Sequence, residues 1–182
     1  MLNIIICDDD NVFAQRVKEE IEVLIAPSRI PVKIQVFSCA EDIGNETMAS
    51  CDVAFLDIDF TGKQYSGMDI AKRIRKYETD AIIVFITNYL EYAPAGYEVR
   101  AFRYILKNEL PQKLQESIRQ IVSHIRTEKA DIKIQADGEI VDLLLKEIIY
   151  VEAMDHTLIF HVSQRKRGDD KQYICYSTLK IN

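Results

Sequence analysis

The chain has 182 residues, of which 48% are hydrophobic and 29% charged, with a formal net charge of −6. This is the balance of a soluble globular protein with room for one full domain and part of a second. It argues against a generally basic nucleic-acid coat, and no apolar run approaches the roughly 20 residues a membrane-spanning helix needs.

The N-terminus enters Leu2-Asn3-Ile4-Ile5-Ile6 with no basic flank or cleavage site, so it reads as a core strand and not as a signal peptide. Cys7, Cys39, Cys51 and Cys175 show no CxxC pairing. They are expected to be reduced thiols, mostly buried, in a cytoplasmic protein.

Residues 2–7 form a continuous apolar run, the pattern of a strand covered on both faces, and the run ends in Asp8-Asp9-Asp10. Phe13, Val17, Ile21 and Leu24 then recur at helical spacing until Pro27 closes the segment. Residues 32–37 alternate as a second strand, and residues 40–50 read as a weak helix interrupted by Gly44. Asp52-Val53-Ala54-Phe55-Leu56-Asp57 predicts a central strand that delivers a carboxylate to a loop containing Asp59 and Gly62. Ile70, Ile74 and Tyr77 mark another amphipathic helix. Residues 81–86 predict a buried strand ending in Thr87, and the short helix from about Tyr89 must accommodate Pro94. A fifth strand, 101–106, ends in Lys107. Pro111 suits the first turn of a last helix with the stripe Leu114, Ile118, Ile121, Val122 and Ile125.

Strand followed by helix, repeated in this way, predicts an α/β fold: a doubly wound, five-stranded parallel sheet of the flavodoxin-like kind over residues 1–126. After a link at 127–130, residues 131–182 change grammar. Short β-rich segments near 131–136, 139–145, 147–153, 156–163 and 172–177 are separated by turn signals, which predicts a small mainly β unit.

In a parallel sheet all strand C-termini share one edge, which would gather Asp8, Asp9, Asp57, Thr87 and Lys107. Clustered carboxylates repel and must protonate unless a cation joins them. Oxygen-only ligands suit Mg2+. A hydroxyl and an ammonium beside a metal-bound carboxylate form a pocket for a multi-oxygen anion. The chemistry that fits is phosphoryl transfer, with Asp57 as in-line nucleophile. Taken singly, Asp8-Asp9-Asp10 also suits an N-cap, Asp57 a turn, Thr87 a helix cap and Lys107 a solvated charge. Four strand ends converging on one chemistry favour the site.

Ile6-Cys7-Asp8-Asp9-Asp10, Phe55-Leu56-Asp57-Ile58, Phe85-Ile86-Thr87-Asn88 and Tyr104-Ile105-Leu106-Lys107 together resemble the receiver domain of bacterial two-component response regulators. The resemblance implies Asp57 as phosphoacceptor, with Asp9, Asp57 and the Asp59 carbonyl as Mg2+ ligands and Asp8 acting through metal-bound water. It also implies that Thr87 and Lys107 bind the phosphoryl group, that Tyr104 is an aromatic switch, that a sensor histidine kinase is the donor, and that phosphorylation favours a homodimer. The protein would catalyse only its own phosphorylation and dephosphorylation.

Residues 145–153 and Tyr176-Ser177-Thr178-Leu179 resemble the opening of a LytTR-type DNA-binding domain, which implies DNA as a partner and transcriptional control as output. Gly96-Tyr97-Glu98-Val99-Arg100-Ala101-Phe102 also looks like the receivers of that subfamily. His156 resembles a DNA-contacting loop position, whereas Arg165-Lys166-Arg167 fits a solvated hairpin tip. From Lys129 onward there are 8 Lys/Arg and 9 Asp/Glu, a nearly neutral surface. The tail is about half the length of a complete domain of that type, so a stand-alone signalling receiver with a non-DNA-binding tail is the alternative.

Asn108 stands where the family usually has proline, so a trans Lys107–Asn108 bond and some displacement of Lys107 are expected. Asp57-Ile58-Asp59-Phe60-Thr61 also fits the DxDxT motif of haloacid dehalogenase-like phosphatases. That motif normally ends the first strand, however, and here two strand–helix units precede it.

Overall fold

The computed structural model describes residues 1–60, 65–77, 80–128, 130–136, 139–154, 157–164 and 169–176. His156, Thr61, Gly62, the Arg165–Arg167 run and Ser177-Thr178-Leu179 lie outside the described residues. The chain forms two compact units, Met1–Val122 and Ser123–Asn182.

In the first unit β1 (Leu2–Cys7), β2 (Val32–Phe37), β3 (Val53–Leu56), β4 (Ile82–Thr87) and β5 (Arg103–Leu106) form one sheet, ordered β2-β1-β3-β4-β5. Every neighbouring pair is parallel. This is the doubly wound order in which the chain turns to opposite sides after β1 and β3, leaving a crevice at their C-terminal ends. The central strands sit here because their residues are apolar on both faces: β3 and β4 are buried at every position. Ile5, Leu56, Ile70, Ile74, Ile83 and Phe85 belong to one core cluster on one side of the sheet.

Helix α1 (Asn11–Ile25) starts where Asp10 accepts the N–H groups of Val12 and Phe13 at 3.0 and 3.1 Å. The first turn therefore has the cap it needs. Its buried face is Ala14, Val17, Ile21 and Ile25. The expected Val17 and Ile21 lie in that face, while at its two ends Ala14 and Ile25 take the places read for Phe13 and Leu24, which are half-buried at its margin. Residues 40–50 are not one helix. They hold a 3-10 turn (Ala40–Asp42) and a short α2 (Asn45–Ala49), with Gly44 between them.

Helix α3 (Gly67–Arg75) has a reciprocal capping box between Ser66 and Asp69. It ends before Tyr77, which is exposed. The next segment, Leu90–Val99, is 3-10 throughout and contains Pro94, which can supply no N–H and crowds an α-helical turn. Its end is fastened by Arg75, whose guanidinium donates to the carbonyls of Val99 (2.8 Å), Ala81 (2.7 Å) and Arg100 (3.3 Å). Helix α4 (Leu110–Glu128) carries Pro111 in its first turn and buries Leu114, Ile118, Ile121 and Ile125. It runs two residues into the stretch read as a link.

In the second unit β6 (Asp131–Ala136) pairs antiparallel with β7 (Glu139–Leu144). β8 (Ile148–Met154), β9 (Thr157–Gln164) and β10 (Asp169–Tyr176) form an antiparallel sheet with β9 central. Ile134, Ala136, Leu143, Phe160 and Val162 make its buried cluster. Among the described residues no helix is long and apolar enough to cross a membrane.

Candidate functional site

The parallel register brings the sequence-predicted residues to one edge. Cys7 pairs with Leu56, Leu56 with Phe85, and Thr87 with Leu106. The residues just beyond these pairs are Asp8, Asp57 and Lys107. The N–H of Asp57 donates to the Cys7 carbonyl at 2.9 Å, extending the ladder into the site.

Asp8, Asp57 and Thr87 are buried. The Lys107 ammonium lies 2.7 Å from Asp8 Oδ2 and 2.6 Å from Asp57 Oδ2. The other oxygen of each carboxylate takes a backbone N–H, that of Asp10 on Asp8 (2.9 Å) and that of Ile58 on Asp57 (2.6 Å). Such contacts are what make a buried carboxylate tolerable.

Burial pushes the Asp8 carboxyl up to about 6, even though its bond to Lys107 pulls the other way. Lys107 itself is held above its ordinary value: burial disfavours its charge, and the bonds to Asp57 and Asp8 outweigh that cost. Asp10, the third acid of the run, is spent on capping α1, so the N-cap reading and the site reading apply to different members of one tripeptide.

Carboxylate oxygens of Asp8, Asp9 and Asp57 all lie within 4.8 Å of one another. Three hard oxygen donors at this spacing, two of them buried, fit a divalent cation of the Mg2+ type. Asp59 is exposed, and its N–H approaches Asp57 Oδ1 at 3.4 Å. No peptide bond is cis among the described residues, so Lys107–Asn108 is trans, and Lys107 opens a 3-10 turn (Lys107–Glu109) that leads into α4. The lysine nonetheless reaches both carboxylates, so the expected displacement does not take it off the site.

Thr87 Oγ1 accepts the N–H of Tyr89 at 3.4 Å. Tyr104 is half-buried with its ring 6.0 Å from that of Phe85, and its hydroxyl donates to the Tyr89 carbonyl. Burial pushes the Tyr104 hydroxyl up to about 12. Thr87 and Tyr104 therefore meet at the backbone of one residue. Cys7, Cys39 and Cys51 are free thiols, and burial raises Cys7 and Cys51 to about 12, too high for reactive thiolates.

Sequence reasoning missed Gly67. A Cβ there would stand 1.7 Å from the Asp57 carbonyl oxygen, so only glycine lets α3 begin against the backbone of the central carboxylate. In the sequence it reads merely as the end of a loop; the capping box just before it was the available signal.

The sequence places this geometry in a class. Residues 4–119 match the response regulator receiver domain, and the chain belongs to that family. Within it, the chain is 30% identical over 168 residues to the sensory transduction protein LytT of Bacillus subtilis, covering 85% of this chain and 66% of that protein. It is 29% identical over 198 residues to LytT of Bacillus cereus, covering all of this chain and 75% of the relative. Its fold is similar to the response regulatory domain of mrkE from Klebsiella pneumoniae, with TM-score 0.55 and 25% identity, covering 68% of this chain and 97% of that domain. The receiver domain of AraT from Geobacillus stearothermophilus gives TM-score 0.59 at 21% identity, over 70% of this chain and 97% of that one. The chain is thus a two-component response regulator receiver homologous to the LytT regulators.

Proposed function

We propose that this protein accepts a phosphoryl group on Asp57 from a sensor histidine kinase and uses it to control transcription through a LytTR-type DNA-binding unit. The observation that carries the first half is the Lys107 ammonium seated on two buried carboxylates at the crevice of the sheet.

A carboxylate oxygen of Asp57 attacks phosphorus in line. The P–N bond to the donor imidazole breaks, its electron pair stays on nitrogen, and an acyl phosphate forms on Asp57. Asp8, Asp9 and Asp57, with the Asp59 carbonyl, would hold Mg2+, which when bound offsets charge on the transferred oxygens. Lys107 follows the new charge with its ammonium, and Thr87 supplies a hydroxyl donor. Thr87 then gives up the Tyr89 N–H, and Tyr104, bonded to the Tyr89 carbonyl, carries the change to the face formed by Leu90–Val99 and β5. A homodimer through that face would place two DNA-binding units on adjacent half-sites.

Incubation with Mg2+ and a small phosphodonor should give an acid-stable, base-labile mass gain in wild type and none in Asp57→Asn. Equal behaviour of the two defeats the phosphoacceptor role. For the output, the phosphorylated protein should hold a specific DNA duplex at physiological salt; only salt-sensitive, sequence-independent retention would favour a signalling receiver without DNA output.

A further inference from the structure

We propose that Phe13 is a positioning residue for phosphoryl transfer at Asp57, its ring face holding the Lys107 ammonium at the junction of Asp8 and Asp57. The proposal rests on the phosphoacceptor reading of Asp57 and adds a residue to it. The ammonium lies 4.5 Å from the centroid of the Phe13 ring. That is well within the distance at which the negative face of an aromatic ring attracts a cation, and the attraction grows as water is removed.

Water is largely removed here. The Lys107 side chain is 14% exposed. Phe13, Asp8 and Asp57 line a cavity of only about 10 Å³, about the smallest space that admits one water. The backbone that carries the ring is held in place. Its backbone N–H is fixed by Asp10, and the neighbouring Ala14 and Val17 anchor that face of α1 in the core.

Lys107 needs such a support. Its ammonium sits at the end of a flexible four-carbon stem and has three N–H donors, of which two suffice for the two carboxylates. Asn108, which follows it, imposes no φ of its own as proline would. Among the described residues, the ring is the aromatic group that meets this ammonium. It selects the position in which the ammonium bridges both acids over rotamers that leave one of them bare to solvent.

The test compares Phe13→Leu, which keeps an apolar side chain without a ring face, with Phe13→Tyr, which keeps the ring. Two readouts are taken on the full chain. One is the acylation rate of Lys107 by acetic anhydride, mapped by mass spectrometry, which needs no phosphorylation. The other is the phosphorylation rate of Asp57 by a small phosphodonor at saturating Mg2+. Phe13→Leu should label Lys107 about five-fold faster and phosphorylate about five-fold more slowly, with Phe13→Tyr close to wild type in both. Thermal unfolding checks that each variant is folded, and Phe13→Met replaces Phe13→Leu if the latter is not. Wild-type labelling of Lys107 in the leucine variant overturns the proposal, as does a tyrosine variant as impaired as the leucine one. A wild-type chain that takes no phosphoryl group overturns the parent reading instead, and the labelling arm still decides whether the ring holds Lys107.

Discussion

Strands β4 and β8 are built from similar residues and end in different circumstances. Ile82-Ile83-Val84-Phe85-Ile86-Thr87 is buried at every position, whereas in Ile148–Met154 every residue after Ile148 is exposed, including Ile149, Tyr150, Val151 and Met154. An apolar run therefore specifies a strand; what covers it decides whether it becomes core. In the first unit helices lie on both faces of the sheet. In the second, among the described residues, Phe160 and Val162 belong to a buried cluster with β6 and β7, while the outward residues of β8 remain in solvent. The difference explains why chemistry is readable in one unit and not in the other. Where strands are sealed, a buried carboxylate is costly and must be accounted for by a partner, as Asp8 and Asp57 are by Lys107.

The widest gap between the units should appear in core deletions. Phe55→Ala, fully inside the parallel sheet, is expected to cost about 4 kcal/mol, whereas Ile149→Ser on β8 should stay within about 0.5 kcal/mol, both by chemical denaturation. Comparable losses would mean that β8 is covered in solution. Gly67→Ala comes next. Its methyl cannot share space with the Asp57 carbonyl, so about 3 kcal/mol of stability should be lost together with most Asp57 phosphorylation, read by denaturation and by mass gain.

The charge at the sealed edge predicts a pH effect of about 3 kcal/mol in metal-free buffer. The Asp8 carboxyl lies at about 6 in the folded protein against an ordinary 3.8, so the fold binds this proton more tightly than the unfolded chain does. Its contribution is fully present below about pH 4 and is lost as pH rises through 6. Asp8→Asn should accordingly raise Tm at pH 8 and leave it nearly unchanged at pH 4; a lower Tm at pH 8 would show that the Lys107 pair outweighs the burial of charge. The smallest effect distinguishes neighbours within one acidic run. Asp10→Ala should cost about 1 kcal/mol through its lost cap, by chemical denaturation, and slow Asp57 phosphorylation less than Phe13→Leu does, because it loosens the backbone of Phe13 but keeps the ring.

The sheet and the gathering of its strand ends were legible because continuous apolar runs and the residues that end them are local signals. Asp8, Asp57, Thr87 and Lys107 follow from topology once five parallel strands are recognised. What could not be read needs long-range geometry. Gly67 matters only because α3 starts against Asp57, ten residues earlier in the chain. Phe13 was placed in the helical stripe on spacing alone, and its contact with Lys107 bridges 94 residues of sequence. The centre of the α1 stripe, Val17 and Ile21, is legible from spacing, but its ends are not: Phe13 and Ala14 both suit a helix face, and packing buries Ala14 and Ile25 instead of Phe13 and Leu24. The 3-10 form of Leu90–Val99 was half-visible in Pro94, whose position told where an α-helix would fail but not what would replace it.

The grip of Arg75 on Val99, Ala81 and Arg100 gives that segment unequal ends. One end is held by bonds from a single cation to the carbonyls of Val99 and Arg100, and the same cation also bonds the carbonyl of Ala81, just before β4. The other hangs from the backbone of Tyr89, which meets Thr87 through its N–H and Tyr104 through its carbonyl. In mechanical terms this is a cantilever: a shift of Tyr89 started at Thr87, as the proposed mechanism requires, would be largest at the Tyr89 end and smallest beside Arg100.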